Sequence, residues 1–197
     1  MRPTMLAVLA TLTALVSACT DDPPAAGPNV PAFTSSAPPS AAADKSVPRT
    51  CGGLATLAEV TDILGAAITG ETLTVVGVPE SKIGRTGRLD CYYGVPAGKT
   101  WREATVWIAF AGYTDSAAAQ RRMTTTVETE REAGAVVNEV AVGAGRGILL
   151  ASPANRTLVA VRGKNTVAVT VVPTLVADDN AGSLLARLAD HALTPRP

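Results

Sequence analysis

From residue 51 onward, apolar positions recur with two different periods, and the switches between them mark out the elements. Leu57, Val60, Leu64 and Ile68 follow one another at helical spacing. Thr56 and Glu59 have the spacing of a capping box at the head of that run, and Gly65 is placed to end it. Period two then takes over. Residues 73–78 read as a strand, and 79–87 as a polar loop. Leu89, Cys91, Tyr93 and Val95 alternate with Asp90, Tyr92 and Gly94, the pattern of a half-buried strand. Ala104, Val106, Ile108 and Phe110 alternate in the same way with Glu103, Thr105 and Trp107. Thr114-Asp115-Ser116 opens a helix predicted to run to Glu132 and to stop at Gly134. Four short strands are predicted next, over 136–142, 147–151, 157–161 and 166–172, with Arg162-Gly163-Lys164-Asn165 as a hairpin turn. Asp178-Asp179-Asn180 is placed to cap a last helix, whose Ala181, Leu184, Leu185, Leu188 and Ala192 form one apolar stripe.

The predicted order is α-βββ-α-ββββ-α. Hairpin-length connections favour antiparallel pairing, so the fold class is α+β: an antiparallel sheet of six to seven strands with three helices packed mainly on one face. Residues 51–197 supply 147 positions, one domain's worth. The chain as a whole has 17 basic and 17 acidic residues and a formal net charge of zero. That balance argues against a nucleic-acid partner, which selects for basic excess.

Upstream of the domain the pattern changes twice. Residues 6–16 are an almost unbroken apolar run, preceded by Arg2. Eleven residues are the length of a signal-peptide core and too short to span a hydrocarbon layer as a helix. The run closes on Val16-Ser17-Ala18-Cys19, which resembles the bacterial lipobox. That resemblance implies a signal peptide over 1–18 and diacylglycerol on the Cys19 sulfur. An ordinary secreted chain cut at an Ala-x-Ala-like site is the alternative, and it would leave Cys19 an odd thiol. Single acyl chains bind membranes marginally, so two or more are needed for a stable anchor. In residues 20–50, 21 of 31 positions are Pro, Ala, Ser or Thr. Such a segment buries too little to offset its ordering entropy, so 19–50 is predicted to be a disordered tether behind the lipidated cysteine. Its Thr34-Ser35-Ser36 stretch offers acceptors for O-linked sugar, with a bare linker as the plainer reading.

Cys51 and Cys91 remain as a pair in a compartment that permits disulfides. A bridge would pin the first helix to the sheet; a redox pair, the alternative, lacks close Cys-x-x-Cys spacing. Cys19, the Pro/Ala/Ser tether, Cys51 with Leu54 and Leu57 opening a helix that ends Leu64-Gly65, and Cys91 followed by Tyr92 together resemble the small exported lipoproteins of mycobacteria and their actinobacterial relatives. The resemblance implies a cell-membrane location, lipid-anchored on the extracytoplasmic side, and a single disulfide-stapled α+β domain. It supplies no activity and no catalytic residues. Tyr92-Tyr93 departs from it, standing where a tryptophan is expected.

Reactive constellations are sparse. The single histidine, His191, falls in the last turn of the final helix, where the dipole favours a cation. No Gly-x-Ser-x-Gly elbow is present, and Gly143-Ala-Gly145-Arg-Gly147 matches no phosphate loop, so it reads as a turn. Gly84-Arg-Thr-Gly87 beside Lys82, Arg85 and Arg88 has the makings of a phosphate cradle, with a solvated loop as the plainer reading. Asp178-Asp179 has no further metal ligand spaced nearby. Asn155-Arg-Thr157 forms a glycosylation sequon with little force in a bacterial setting. No catalytic residue, metal or cofactor is expected. Tyr92, Trp101, Trp107 and Tyr113 are the aromatics available for binding, Trp107 and Tyr92 foremost; Trp107 either packs under a helix or lines a groove. The expected function is a monomeric, non-enzymatic binding or interaction module with an envelope protein, glycan or lipid partner. The alternative is a carrier of an apolar ligand in a sheet–helix cavity lined by Ile108, Phe110, Leu149 and Val169.

Overall fold

The computed structural model describes residues 44–196. The expected signal peptide, Cys19 and the expected tether up to residue 43 lie outside the described residues. Three helices and seven strands follow in the predicted order: α1 (Leu57–Leu64), β1 (Glu71–Gly77), β2 (Arg85–Val95), β3 (Val106–Tyr113), α2 (Ser116–Glu132), β4 (Val136–Val142), β5 (Gly145–Ala151), β6 (Arg156–Arg162), β7 (Asn165–Val171) and α3 (Asp178–Leu193). All seven strands form one antiparallel sheet in the order β1-β2-β3-β7-β6-β5-β4.

Local signals fixed the first helix as expected. Thr56 accepts from the Glu59 amide while the Glu59 carboxylate accepts from the Thr56 amide, a complete capping box. Gly65 ends α1 at φ 64°, a conformation that a side chain disfavours. At the head of α3 the structure corrects the expectation. Ala177 is the cap residue, and Asp178 and Asp179 lie inside the first turn. There they favour the positive end of the dipole, and Asp178 accepts from Arg156 Nε at 2.7 Å.

One face of the sheet carries the core. Its rows are large and aliphatic: Cys91, Ile108, Val169 and Leu158 register across β2, β3, β7 and β6, with Leu89, Phe110, Val167 and Ala160 in the next row. α3 closes over them with Leu185, Leu188 and Leu193, each at 2% exposure or less, and α1 adds Val60 and Leu64. Each fully buried leucine contributes about 1.5–3 kcal/mol. Cys51 and Cys91 form a disulfide with Cα atoms 5.6 Å apart, tying the turn before α1 to the centre of β2. The Tyr93 hydroxyl donates to the Ala55 carbonyl at 2.7 Å and reinforces the same junction.

The helices lie mainly on one face, as expected. α1 and α3 share the core face, but α2 crosses the opposite one, packing Ala118 and Ala119 on Ala111 and Tyr113, then Met123 and Val127 on Leu150 and Val159. The topology requires a long crossing. β3 lies beside β7 while β4 is the far edge, so the connection must traverse about four strand spacings, roughly 19 Å. A helix of 17 residues, about 26 Å long, spans that distance.

The domain also begins earlier than residue 51. Residues 44–50, assigned to the tether by composition, lie against the sheet. Lys45 is 8% exposed. Its ammonium donates to the Ala192 carbonyl at 2.7 Å and the Thr194 carbonyl at 3.1 Å, and it lies 5.8 Å from the Phe110 ring centroid. The Lys45 carbonyl accepts from Asn165 Nδ2, Asp44 accepts from the Lys164 amide, and Val47 packs against the core. Long-range contacts of this kind leave no trace in local composition.

Candidate functional site

The face opposite the core is built from the alternate residues of the same strands. One row, from β2 to β6, is Tyr92, Trp107, Thr170 and Thr157; the next is Asp90, Ala109, Ala168 and Val159; the third is Arg88, Ala111, Thr166 and Val161. Tall aromatics therefore border a floor of alanines. α2 covers the β5–β6–β7 side, and its Arg122, Met123, Thr126 and Glu130 form the facing wall. Between them lies an open groove of about 520 Å³.

Trp107 is half-buried and lines this groove, which decides between the two positions open to it in the sequence. Tyr92 stacks on Trp107 with centroids 5.5 Å apart and meets Trp101 at 5.3 Å. Trp101 comes from a short 3-10 turn (Trp101–Glu103) after β2; it is 41% exposed, with the Arg102 guanidinium 4.5 Å above its ring. Thr100 and Glu103 make a second capping box that fixes this turn. The floor is polarised at its β2 end. Arg88 grips Asp90 through two nitrogens at 2.8 and 2.9 Å, and Trp107 Nε1 donates to Asp90 Oδ1 at 3.2 Å. Asp90 is thus buried with two neighbours holding its charge. Burial first, and the Asp90 charge second, push the Tyr92 phenol above its ordinary pKa, so it remains a neutral hydrogen-bonding group.

Other candidates resolve differently. Gly84 ends a short turn and β2 begins at Arg85, so this stretch is strand rather than open loop, with Arg85 paired to Glu80 at 2.8 Å and Arg88 to Asp90. Gly143 turns the β4–β5 hairpin, and Gly163 turns β6 into β7. His191 lies on the core side, touching Arg196 and 3.5 Å from Glu59; burial, then the Arg196 charge, lower its pKa. Among the described residues no group of three or more His, Cys, Asp and Glu side chains gathers to hold a metal. The apolar cavity expected around Ile108, Phe110, Leu149 and Val169 is corrected: all four are packed in the core at 9% exposure or less, where α3 fills the space.

Trp101 was named in the sequence only as one available aromatic. Nothing local joins it to Trp107, because the two meet through Tyr92 once β2 and β3 pair. Arg122 and Thr126 went unremarked, since α2's polar face gave no sign of which side would meet the sheet.

The chain matches no family model and no curated protein. Among solved structures, the extracellular domain of PknH from Mycobacterium tuberculosis is similar to it, at 14% sequence identity and a TM-score of 0.46, over 76% of this chain and 97% of that domain. No helix among the described residues is long and apolar enough to cross a membrane.

Proposed function

We propose that this protein is a non-enzymatic binding module, anchored through lipid on Cys19 at the outer face of the cytoplasmic membrane, with the groove between α2 and the Tyr92–Trp107 row as its binding surface. The groove carries the reading. It draws together both tryptophans of the chain, it is open, and its polar groups are hydroxyls, guanidiniums, the Asn155 amide and the Glu130 carboxylate. The Cys51–Cys91 bridge supports an oxidising compartment, and the lipobox-like Val16-Ser17-Ala18-Cys19 supports the anchor.

Two experiments test the two halves. A photoreactive amino acid placed at Thr126 in the groove wall should crosslink a partner in intact envelope, whereas the same residue at exposed Arg187 on α3 should not. Equal labelling from both positions, or none from Thr126, contradicts the binding surface. Intact mass of the membrane fraction should show a chain lacking residues 1–18 with acyl mass on Cys19; an unmodified Cys19 thiol contradicts the anchor.

A further inference from the structure

We infer that the groove takes an acidic glycan, a run of pyranose rings carrying carboxylate or phosphate groups; this deepens, and rests on, the reading of that face as a binding surface. Three features converge on this chemistry. The first is the aromatic border. Trp101 is an exposed indole at the rim, with the Arg102 guanidinium over its ring and Tyr92 tilted against it, and Tyr92 in turn stacks on Trp107. Planar apolar surface of this kind matches the C–H face of a sugar ring, and tryptophan carries it with little loss of side-chain freedom.

The second is the neutral polar lining. Thr105, Thr126, Thr170, Ser152 and Asn155 bring hydroxyls and an amide to the groove. An apolar ligand would strip water from these groups without replacing its hydrogen bonds, at a cost for each. A polyhydroxylated ligand replaces them.

The third is charge. Arg102 and Arg122 line the groove against Glu130, while Arg85 and Arg88, which also line it, are paired with Glu80 and Asp90. Asp90, in the same row as Ala109, is already engaged by Arg88 and Trp107. Arg85 Nε is buried with no hydrogen-bond partner among the described residues. Guanidinium forks match carboxylate and phosphate oxygens in geometry. The lining residues Arg85 and Tyr92 are seven positions apart on β2, about 23 Å of strand, which suits an extended chain better than a single ring.

The full lipidated chain in detergent micelles is titrated with four probes: oligogalacturonate, a phosphomannan oligosaccharide, a neutral dextran oligosaccharide and oligothymidylate. At least one acidic glycan should change tryptophan fluorescence, weaken with added salt and bind at least about tenfold more tightly than dextran. Whichever acid binds better identifies carboxylate or phosphate as the source of the charge. By calorimetry, Trp101→Ala and Arg122→Gln should each weaken that binding at least about tenfold, with the thermal midpoint unchanged. Both residues are exposed, so both variants retain the core. Dextran binding as tightly, oligothymidylate binding more tightly than both acids, or either variant binding like wild type overturns the assignment. If no acidic glycan binds while Thr126 still crosslinks a protein, the glycan assignment falls and the binding surface stands. Neither binding nor crosslinking sinks both.

Discussion

The two faces of the sheet are made from the same strands, yet they behave as different materials. On the core face, Ile108, Phe110, Val167, Val169 and Leu158 are buried and pack under α3. On the other face their immediate neighbours are Trp107, Ala109, Ala168, Thr170 and Thr157. α2 is long enough to cross the sheet but packs against only part of it, so the small floor residues stay open beside the aromatics. Period-two alternation thus separates core positions from groove-face positions residue by residue.

The largest way to test that separation is to cut the staple that belongs only to the core face. Replacing Cys51 and Cys91 by alanine opens a loop with a sequence separation of 40. It should cost about 4 kcal/mol in chemical denaturation, while groove binding at low temperature persists. Adjacent residues on β6 give the next contrast. Leu158→Ala should lose about 2–5 kcal/mol, because Leu158 is fully buried. Thr157→Ala, one residue away, should lose less than about 1.5 kcal/mol, since it removes one 3.0 Å hydroxyl pairing with Thr170. Equal losses would mean that the faces are not energetically distinct.

A smaller effect comes from the strap at 44–50. Burial, then the Arg196 charge, lowers the Lys45 pKa from 10.5 to about 8. Between those values the unfolded chain holds a proton that the folded chain has released, so stability must rise with pH in this window. From pH 8 to 9.5 the gain should be about 1–2 kcal/mol, and Lys45→Met should flatten it. Above pH 10 the Tyr93 phenol, whose pKa burial raises, acts in the opposite sense: the unfolded chain ionises first and stability falls. A wild-type profile flat from pH 8 to 9.5 would remove the strap from the core-face account. The smallest stability change is expected in the groove itself. Ala109→Leu should shift stability by less than about 1 kcal/mol, because the added carbons enter open space, yet it should block ligand entry. A loss as large as that of Leu158→Ala would show the floor to be packed.

How far the sequence discloses this division depends on the range of the interactions involved. Alternation along β2 and β3 placed Cys91 with Leu89 and Tyr93, and Trp107 opposite Ile108, because those signals are local. The capping box at Thr56 and the turns at Gly65 and Gly163 are local as well. Lys45 looked like part of a proline-rich tether because its partners, Ala192 and Thr194, are 147 and 149 residues away. The side taken by α2 was hidden for a related reason: its buried stripe is Ala118, Ala119, Met123 and Val127, weakly apolar residues in a polar helix. Asp178 fits a cap by its place before a helix, and the sequence does not disclose Arg156 on β6, which it meets. The groove combines these difficulties, since it exists only where strand register, the path of α2 and the turn carrying Trp101 meet.

Both tryptophans lie at that meeting point, and the indole N–H signals of Trp101 and Trp107 report on it directly. The deciding measurement is a nitrogen–proton NMR titration of the full chain in micelles with an acidic oligosaccharide. The account predicts that both indole signals shift in step, along with the amides of Thr126 and Thr170, while the amides of α3 stay in place. Shifts confined to α3 or the β4 edge, with the two indoles unmoved, would contradict it.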